Sequence, residues 1–123
     1  MKPNWIPLDS SQKIGQIIAR SHEVPCLIYK HSNRCEICHI AQYRLEDDWP
    51  FEANALEPYY LDVIQHRPVS LEVADIFSVQ HESPQILLIV NGECVHDASH
   101  LDITIREIQE GLAPRNQLVS PSV

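Results

Sequence analysis

Asn91-Gly92 constrains this chain more than any other dipeptide in it. It stands between two strand-like runs, Gln85-Ile86-Leu87-Leu88-Ile89-Val90 and Glu93-Cys94-Val95-His96. Both turn residues accept positive φ, so the pair is the strongest short-range hairpin signature. An antiparallel pair therefore lies late in the chain, and the residues before it must supply the other strands. A chain of 123 residues is long enough to bury a core without disulfide staples. A single domain over residues 1–123 is expected.

Upstream, Asp9-Ser10-Ser11-Gln12 reads as a helix start, with Asp9 as N-cap and Gln12 as its capping-box partner. Ile14, Ile17 and Ile18 give that helix one apolar face, and Pro25 closes the segment. Cys26-Leu27-Ile28-Tyr29 suits a buried strand. After the polar residues 31–34, Ile37, Ile40, Ala41 and Leu45 recur at helical spacing, predicting a helix from about 35 to 46 that Trp49-Pro50 ends. Residues 50–58 read as a loop and 59–64 as a strand. Ser70 is placed to cap a short helix whose Val73, Ile76 and Phe77 face inward. Beyond the hairpin, Ser99 and Asp102 mark a last helix carrying Leu101, Ile105, Ile108 and Leu112 on one side. Gly111 and Pro114 are expected to stop it, leaving a frayed tail over about 115–123.

The resulting order is α-β-α-β-α-β-β-α. A β-α-β unit followed by a helix, a hairpin and a last helix implies an α/β domain. Its core would be a four-stranded mixed sheet with helices on both faces. That is the arrangement of the thioredoxin fold.

Within this order, Cys35-Glu36-Ile37-Cys38 falls at the junction between a buried strand and the following helix. Unpaired N–H groups and the helix dipole favour an anion at the first cysteine. Thiolate is the form that attacks a disulfide. Lys30 and Arg34 add positive potential, as does His31 when protonated. Cys38, three residues on, is within reach of a mixed disulfide formed on Cys35 and is the candidate resolving thiol. Ser83-Pro84 stands just before the hairpin, where thioredoxin-fold proteins place a cis-proline facing the active-site cysteine, with Ser83 offering backbone hydrogen bonds to an extended partner. A trans proline opening a strand is the plainer reading of the same dipeptide. Cys26 and Cys94 read as small core hydrophobes.

The formal net charge of −8, with no cluster among the nine Lys and Arg, argues against a nucleic-acid partner. No apolar run approaches the ~20 residues that cross a bilayer. Met1-Lys2-Pro3-Asn4-Trp5-Ile6-Pro7 has neither a continuous apolar stretch nor a small-residue cleavage site. The cytoplasm is the expected compartment.

The segment Tyr29-Lys30-His31-Ser32-Asn33-Arg34-Cys35-Glu36-Ile37-Cys38 resembles the stretch leading into the active-site cysteine of YtxJ-type, or monothiol, bacilliredoxins. His81-Glu82-Ser83-Pro84-Gln85, Ser99-His100 with Ile103-Thr104, and Trp5-Ile6-Pro7-Leu8 resemble the same family, over roughly residues 5–110. The resemblance implies a thioredoxin fold and removal of bacillithiol from S-bacillithiolated proteins through Cys35. The implied partners are S-thiolated proteins and a small thiol co-substrate, with no metal or organic cofactor. Two positions depart from the family pattern: Cys38 stands where members commonly carry a non-cysteine residue, often serine, and Glu36 where proline is frequent. A second cysteine allows dithiol resolution. The Trp-Cys-Gly-Pro-Cys segment of thioredoxin itself is absent.

Other readings of the same residues exist. Cys35-Glu36-Ile37-Cys38-His39 has the spacing of a haem c attachment site, but such attachment occurs outside the cytosol. Cys35, Cys38 and His39 with His81 or His100 could supply zinc ligands, although only one close cysteine pair is present. A non-enzymatic thioredoxin-fold module that binds proteins or senses redox state is the remaining alternative. His31 and His81 could border the thiolate and assist proton transfer, or simply make local hydrogen bonds. His22, His66 and His96 read as surface residues, His100 as a capping residue, and Asp62 and the Glu46-Asp47-Asp48 run as solvated. Trp5 and Trp49 read as packing residues.

Overall fold

A computed structural model describes residues 2–119 of the chain. Its elements are β1 (Ile6–Pro7), α1 (Ser11–Arg20), β2 (Cys26–His31), α2 (Glu36–Asp47), β3 (Glu57–Asp62), α3 (Arg67–Phe77), β4 (Gln85–Val90), β5 (Glu93–Ser99), a 3-10 turn at His100–Asp102, and α4 (Ile105–Val119). The sheet order is β1-β3-β2-β4-β5, with β2 parallel to β3 and antiparallel to β4.

The sheet thus has five strands where four are expected from the sequence. The extra one, β1, pairs Ile6 with Tyr59 and Pro7 with Tyr60. Two residues are too few to show alternation, and a proline lowers strand propensity further. The Leu8 N–H reaches the Tyr60 carbonyl at 2.8 Å. The missing N–H of Pro7 therefore falls on the open edge, where it costs no ladder bond. Pro58 lies inside β3 for a related reason. Glu57 directs its N–H to the carbonyl of Pro25, just before β2, so the next residue faces the β1 side, beyond the reach of that short strand.

Alternation along β2 divides the core. Cys26, Ile28 and Leu87 pack with Ile14 and Ile17 of α1 and Val73 of α3. Leu27, Tyr29 and Leu88 pack with Ala41 and Leu45 of α2 and Ile108 of α4. Every residue of β2 and β4 is buried, as suits central strands covered on both faces. The Asn91-Gly92 turn takes positive φ at both residues, 53° and 80°. Cys26 is fully buried and Cys94 partly so; burial pushes their thiols up to about 12 and about 11.

Four helix details differ from expectation. The N-cap of α1 is Ser10, because the Asp9 carboxylate pairs instead with Lys13 at 2.9 Å. Helix α2 turns Cys38, Ala41 and Leu45 inward and leaves Ile37 and Ile40 exposed at 38% and 46%. Helix α3 starts earlier, with N-cap His66 and Pro68 in its first turn, so Ser70 is a buried interior residue; Ile76 is exposed. The last helix is preceded by its own 3-10 turn, which leaves Leu101 exposed. It begins after Thr104, whose Oγ1 accepts from the Glu107 N–H at 3.1 Å.

Gly111 and Pro114 do not stop α4. Gly111 lies close against the sheet: a Cβ there would stand 3.0 Å from His96 Cβ and Leu88 Cδ2. It is a packing glycine, not a C-cap. Pro114 lies within the helix, which continues to Val119. The end of the expected frayed tail, 120–123, lies outside the described residues.

Candidate active site

The buried strand β2 ends at His31, and a loop of three residues leads to Cys35, the N-cap of α2, in extended backbone (φ −120°, ψ 120°). The cap is made by sulfur: Cys35 Sγ accepts from the Cys38 N–H at 3.3 Å. One turn on, the Cys38 side chain is fully buried, while Cys35 is partly exposed. Both are free thiols, as are Cys26 and Cys94. Helix geometry thus presents one sulfur to solvent and directs the other into the protein.

Cys38 Sγ accepts from the Ser32 N–H at 3.4 Å and lies 3.4 Å from Ser83 Oγ. Burial raises the Cys38 thiol above its ordinary range, opposed by the hydrogen bonds from Ser83 and the Ser32 amide. The Ser83–Pro84 bond is cis, and Pro84 is buried. The Pro84 carbonyl accepts from the His100 N–H at 3.0 Å, and His100 Nε2 lies 3.3 Å from Glu82 Oε1. The end of the hairpin is thereby tied to the 82–84 loop.

A second network holds the helix start. The Tyr29 hydroxyl donates to the Cys38 carbonyl at 2.9 Å and lies 2.8 Å from His31 Nδ1. His31 Nε2 is 3.0 Å from Asn33 Oδ1. His39 stacks edge-on to His31, ring centroids 5.2 Å apart, and its Nε2–H donates to the Asn33 carbonyl at 3.2 Å. Burial lowers His31, and its bond to Asn33 works the other way. Trp5 closes this layer: it packs on Tyr29, Tyr60 and Trp49 and donates from Nε1 to Glu46 at 2.7 Å. Glu46 is therefore a bound carboxylate, where the acidic run reads as simply solvated.

Lys30 points to the opposite face of the sheet and is fully buried. Its Nζ donates to the Ser70 carbonyl at 3.0 Å and to His81 Nδ1 at 3.2 Å. Ser70 Oγ is also 3.1 Å from that nitrogen. An ammonium only donates, so Nδ1 must be bare and the imidazole proton must sit on Nε2. Burial, then Lys30 and Arg67, lower His81.

The structure therefore gathers Cys35, Cys38 and Ser83 into one cluster and joins His31 to it through Tyr29. His81 turns instead to Lys30 and Ser70. Arg34 is exposed, and its amide N–H contacts Ser32 Oγ at 3.3 Å. Asp62 Oδ1 accepts from the Ile64 and Gln65 amides, closing the turn after β3. Tyr29, Ser32 and Ser70 are the partners that sequence reading missed. The one available signal was a lysine within an apolar strand run. Cys35, Cys38, His39, His81 and His100 do not converge, and among the described residues no group of three or more His, Cys, Asp or Glu could hold a metal ion. No helix of the described residues is long and apolar enough to cross a membrane.

A mixed sheet between helices, with Cys-x-x-Cys at a strand-to-helix junction opposite Ser83-Pro84, defines a thioredoxin-fold protein. A thioredoxin-fold structure proposed to be an oxidoreductase is 32% identical, covers 86% of this chain and 91% of its own, and superposes with a TM-score of 0.75. Thioredoxin from Fasciola hepatica (16% identity, 88% and 96% coverage, TM-score 0.67) and thioredoxin NaTrxh from Nicotiana alata (16%, 93% and 94%, 0.68) share the fold. Residues 6–108 match the family model of monothiol bacilliredoxin BrxC. The chain belongs to that family, whose membership together with the fold supports thiol–disulfide oxidoreductase chemistry as the general class.

Proposed function

We propose that the protein reduces mixed disulfides between client proteins and a low-molecular-weight thiol, with bacillithiol the thiol its family indicates. Cys35 thiolate attacks the small-thiol sulfur of the client disulfide. A Cys35–small-thiol disulfide forms, and the client leaves as a thiolate that takes up a proton. Cys38 then attacks Cys35 Sγ, giving an internal disulfide and the free small thiol, and an external thiol reductant returns both cysteines to the reduced state. The exchange takes place on sulfur and needs no metal or organic cofactor. Ser83 and Pro84 would border the client chain, and Arg34 would add positive potential at the mouth of the site. Four free thiols suit a reducing compartment such as the cytoplasm.

The observation that carries this reading is the asymmetry of the two cysteines. Cys35 is partly exposed at the helix start, with an amide directed at its sulfur, and Cys38 is buried one turn behind it. The test is reduction of a purified S-bacillithiolated protein, followed by mass spectrometry of the client. Wild type should remove the adduct and Cys35→Ser should not. Removal at an undiminished rate by Cys35→Ser would overturn the assignment. Absence of any reduction by wild type would favour a non-enzymatic interaction module.

A further inference from the structure

As a resolving nucleophile, Cys38 has a difficulty built into its position. The attacking form is the thiolate, yet its side chain is fully buried, and burial favours the neutral thiol. No carboxylate or imidazole hydrogen-bonds to its sulfur among the described residues. From the elements packed around it come Cys35 at the helix start, Tyr29 on β2 and Tyr60 on β3. Burial holds both phenols neutral, Tyr60 being pushed up to about 12. The Ser32 N–H nevertheless donates to the sulfur, and the Ser83 hydroxyl, able to donate or accept, lies beside it, each at 3.4 Å.

We propose that Ser83 is a positioning residue for the resolving half-reaction, its hydroxyl joining the Ser32 amide to receive the Cys38 thiolate. This rests on the reading of Cys38 as the resolving thiol. A hydroxyl suits the task because it both donates and accepts. While Cys38 is a thiol, its S–H donates to Ser83 Oγ. When the proton leaves, the hydroxyl rotates to donate to Sγ, and the Ser32 N–H keeps its direction. No heavy atom has to move between the two states.

The step balances without another reactant. The Cys38 thiolate forms a bond to Cys35 Sγ, the Cys35–small-thiol bond breaks, and the small thiol leaves with the electron pair and takes up the proton Cys38 released. The loop that carries Ser83 is held at both ends. His81 is fixed by Lys30 and Ser70 on one side, and the Pro84 carbonyl by the His100 amide on the other.

The experiment compares Ser83→Thr with Ser83→Val, side chains of nearly the same shape that differ in the hydroxyl, alongside Ser83→Ala. In a Cys35→Ser background, the rate of Cys38 alkylation by iodoacetamide is followed against pH by peptide mass spectrometry. The midpoint should move upward in Val and Ala and stay near wild type in Thr. In the dithiol protein, Cys35 is loaded with a chromogenic aromatic thiol, and release of that thiol by Cys38 is timed. Release should slow by about tenfold or more in Val and Ala, as expected for a lost hydrogen bond to a charged group, and recover in Thr. Equal midpoints and release rates in Thr and Val would overturn the role of Ser83. If Cys38→Ser released the chromogenic thiol as fast as wild type, the resolving role of Cys38 itself would fall, a separate outcome.

Discussion

Lys30 is a buried cation with no carboxylate within salt-bridge distance among the described residues, and its presence should be visible in the stability of the protein. Burial lowers it from its ordinary 10.5 to about 8. The unfolded chain thus holds this proton more tightly than the native state does. Between pH 8 and 10.5 the unfolded state binds the extra proton, so this group's contribution makes stability rise with pH. Below pH 8 the full penalty is present, about 3 kcal/mol at 1.36 kcal/mol per pKa unit.

Lys30→Met removes the penalty and keeps most of the side-chain volume. It also removes the two bonds to Ser70 and His81, a loss of about 1 kcal/mol each, about 2 kcal/mol together. The variant should therefore exceed wild type by about 1 kcal/mol at pH 7 and fall about 2 kcal/mol below it by pH 10.5. Urea unfolding of both proteins at intervals from pH 7 to 10.5 measures the difference. The raised thiols Cys26 and Cys94 pull the other way, since the unfolded chain sheds those protons first. They are common to both proteins and cancel on subtraction. A difference that stays constant across the range would refute the account.

Other substitutions probe the remaining contacts. Gly111→Ala should lower the melting temperature, because contacts of 3.0 Å to His96 Cβ and Leu88 Cδ2 cost about 1–3 kcal/mol, against about 1 kcal/mol gained in helix propensity. Tyr29→Phe, which removes the hydroxyl between the Cys38 carbonyl and His31, should cost about 1–2 kcal/mol in urea unfolding. His31 is lowered by burial, so as pH falls the unfolded chain protonates first, and stability is lost from about pH 6.5 downward. His31→Gln should flatten that acid limb relative to wild type in the same assay.

The hairpin and the cysteine junction were legible because each is a local signal. Two adjacent residues supply the positive φ of the turn, and four supply a cap and one helical turn. The inward face of α2 was harder. The set Ile37, Ile40 and Ala41 and the set Cys38, Ala41 and Leu45 both fit a helical period, and spacing alone does not rank them. Counting Cys38 as chemistry hid its second role as a core residue. The Lys30–Ser70–His81 cluster joins positions 40 and 51 residues apart in sequence. Only the packing of α3 on the sheet brings those groups together. The sequence points to the backbone of Ser83, and its hydroxyl acquires a role only from the Cys38 sulfur 3.4 Å away, 45 residues distant in the chain.

The pocket around Cys38 also bears on how the chain departs from its family pattern. An N–H and a hydroxyl converging on one atom suit a serine oxygen as well as a thiolate sulfur, and serine is often found at this position in the family the chain resembles. The same surroundings can then serve a monothiol or a dithiol protein, the two differing by one atom at residue 38. Cys38→Ser should fold with little loss of stability, because the donors from Ser32 and Ser83 keep a partner. Its catalytic cycle should change in kind. Without an internal attacker, the Cys35 mixed disulfide waits for an external thiol, so turnover should rise linearly with small-thiol concentration. In wild type, release of the first small thiol should not depend on that concentration. A wild-type release step with the same linear dependence as Cys38→Ser would mean that Cys38 packs the core of a monothiol enzyme and takes no part in its turnover.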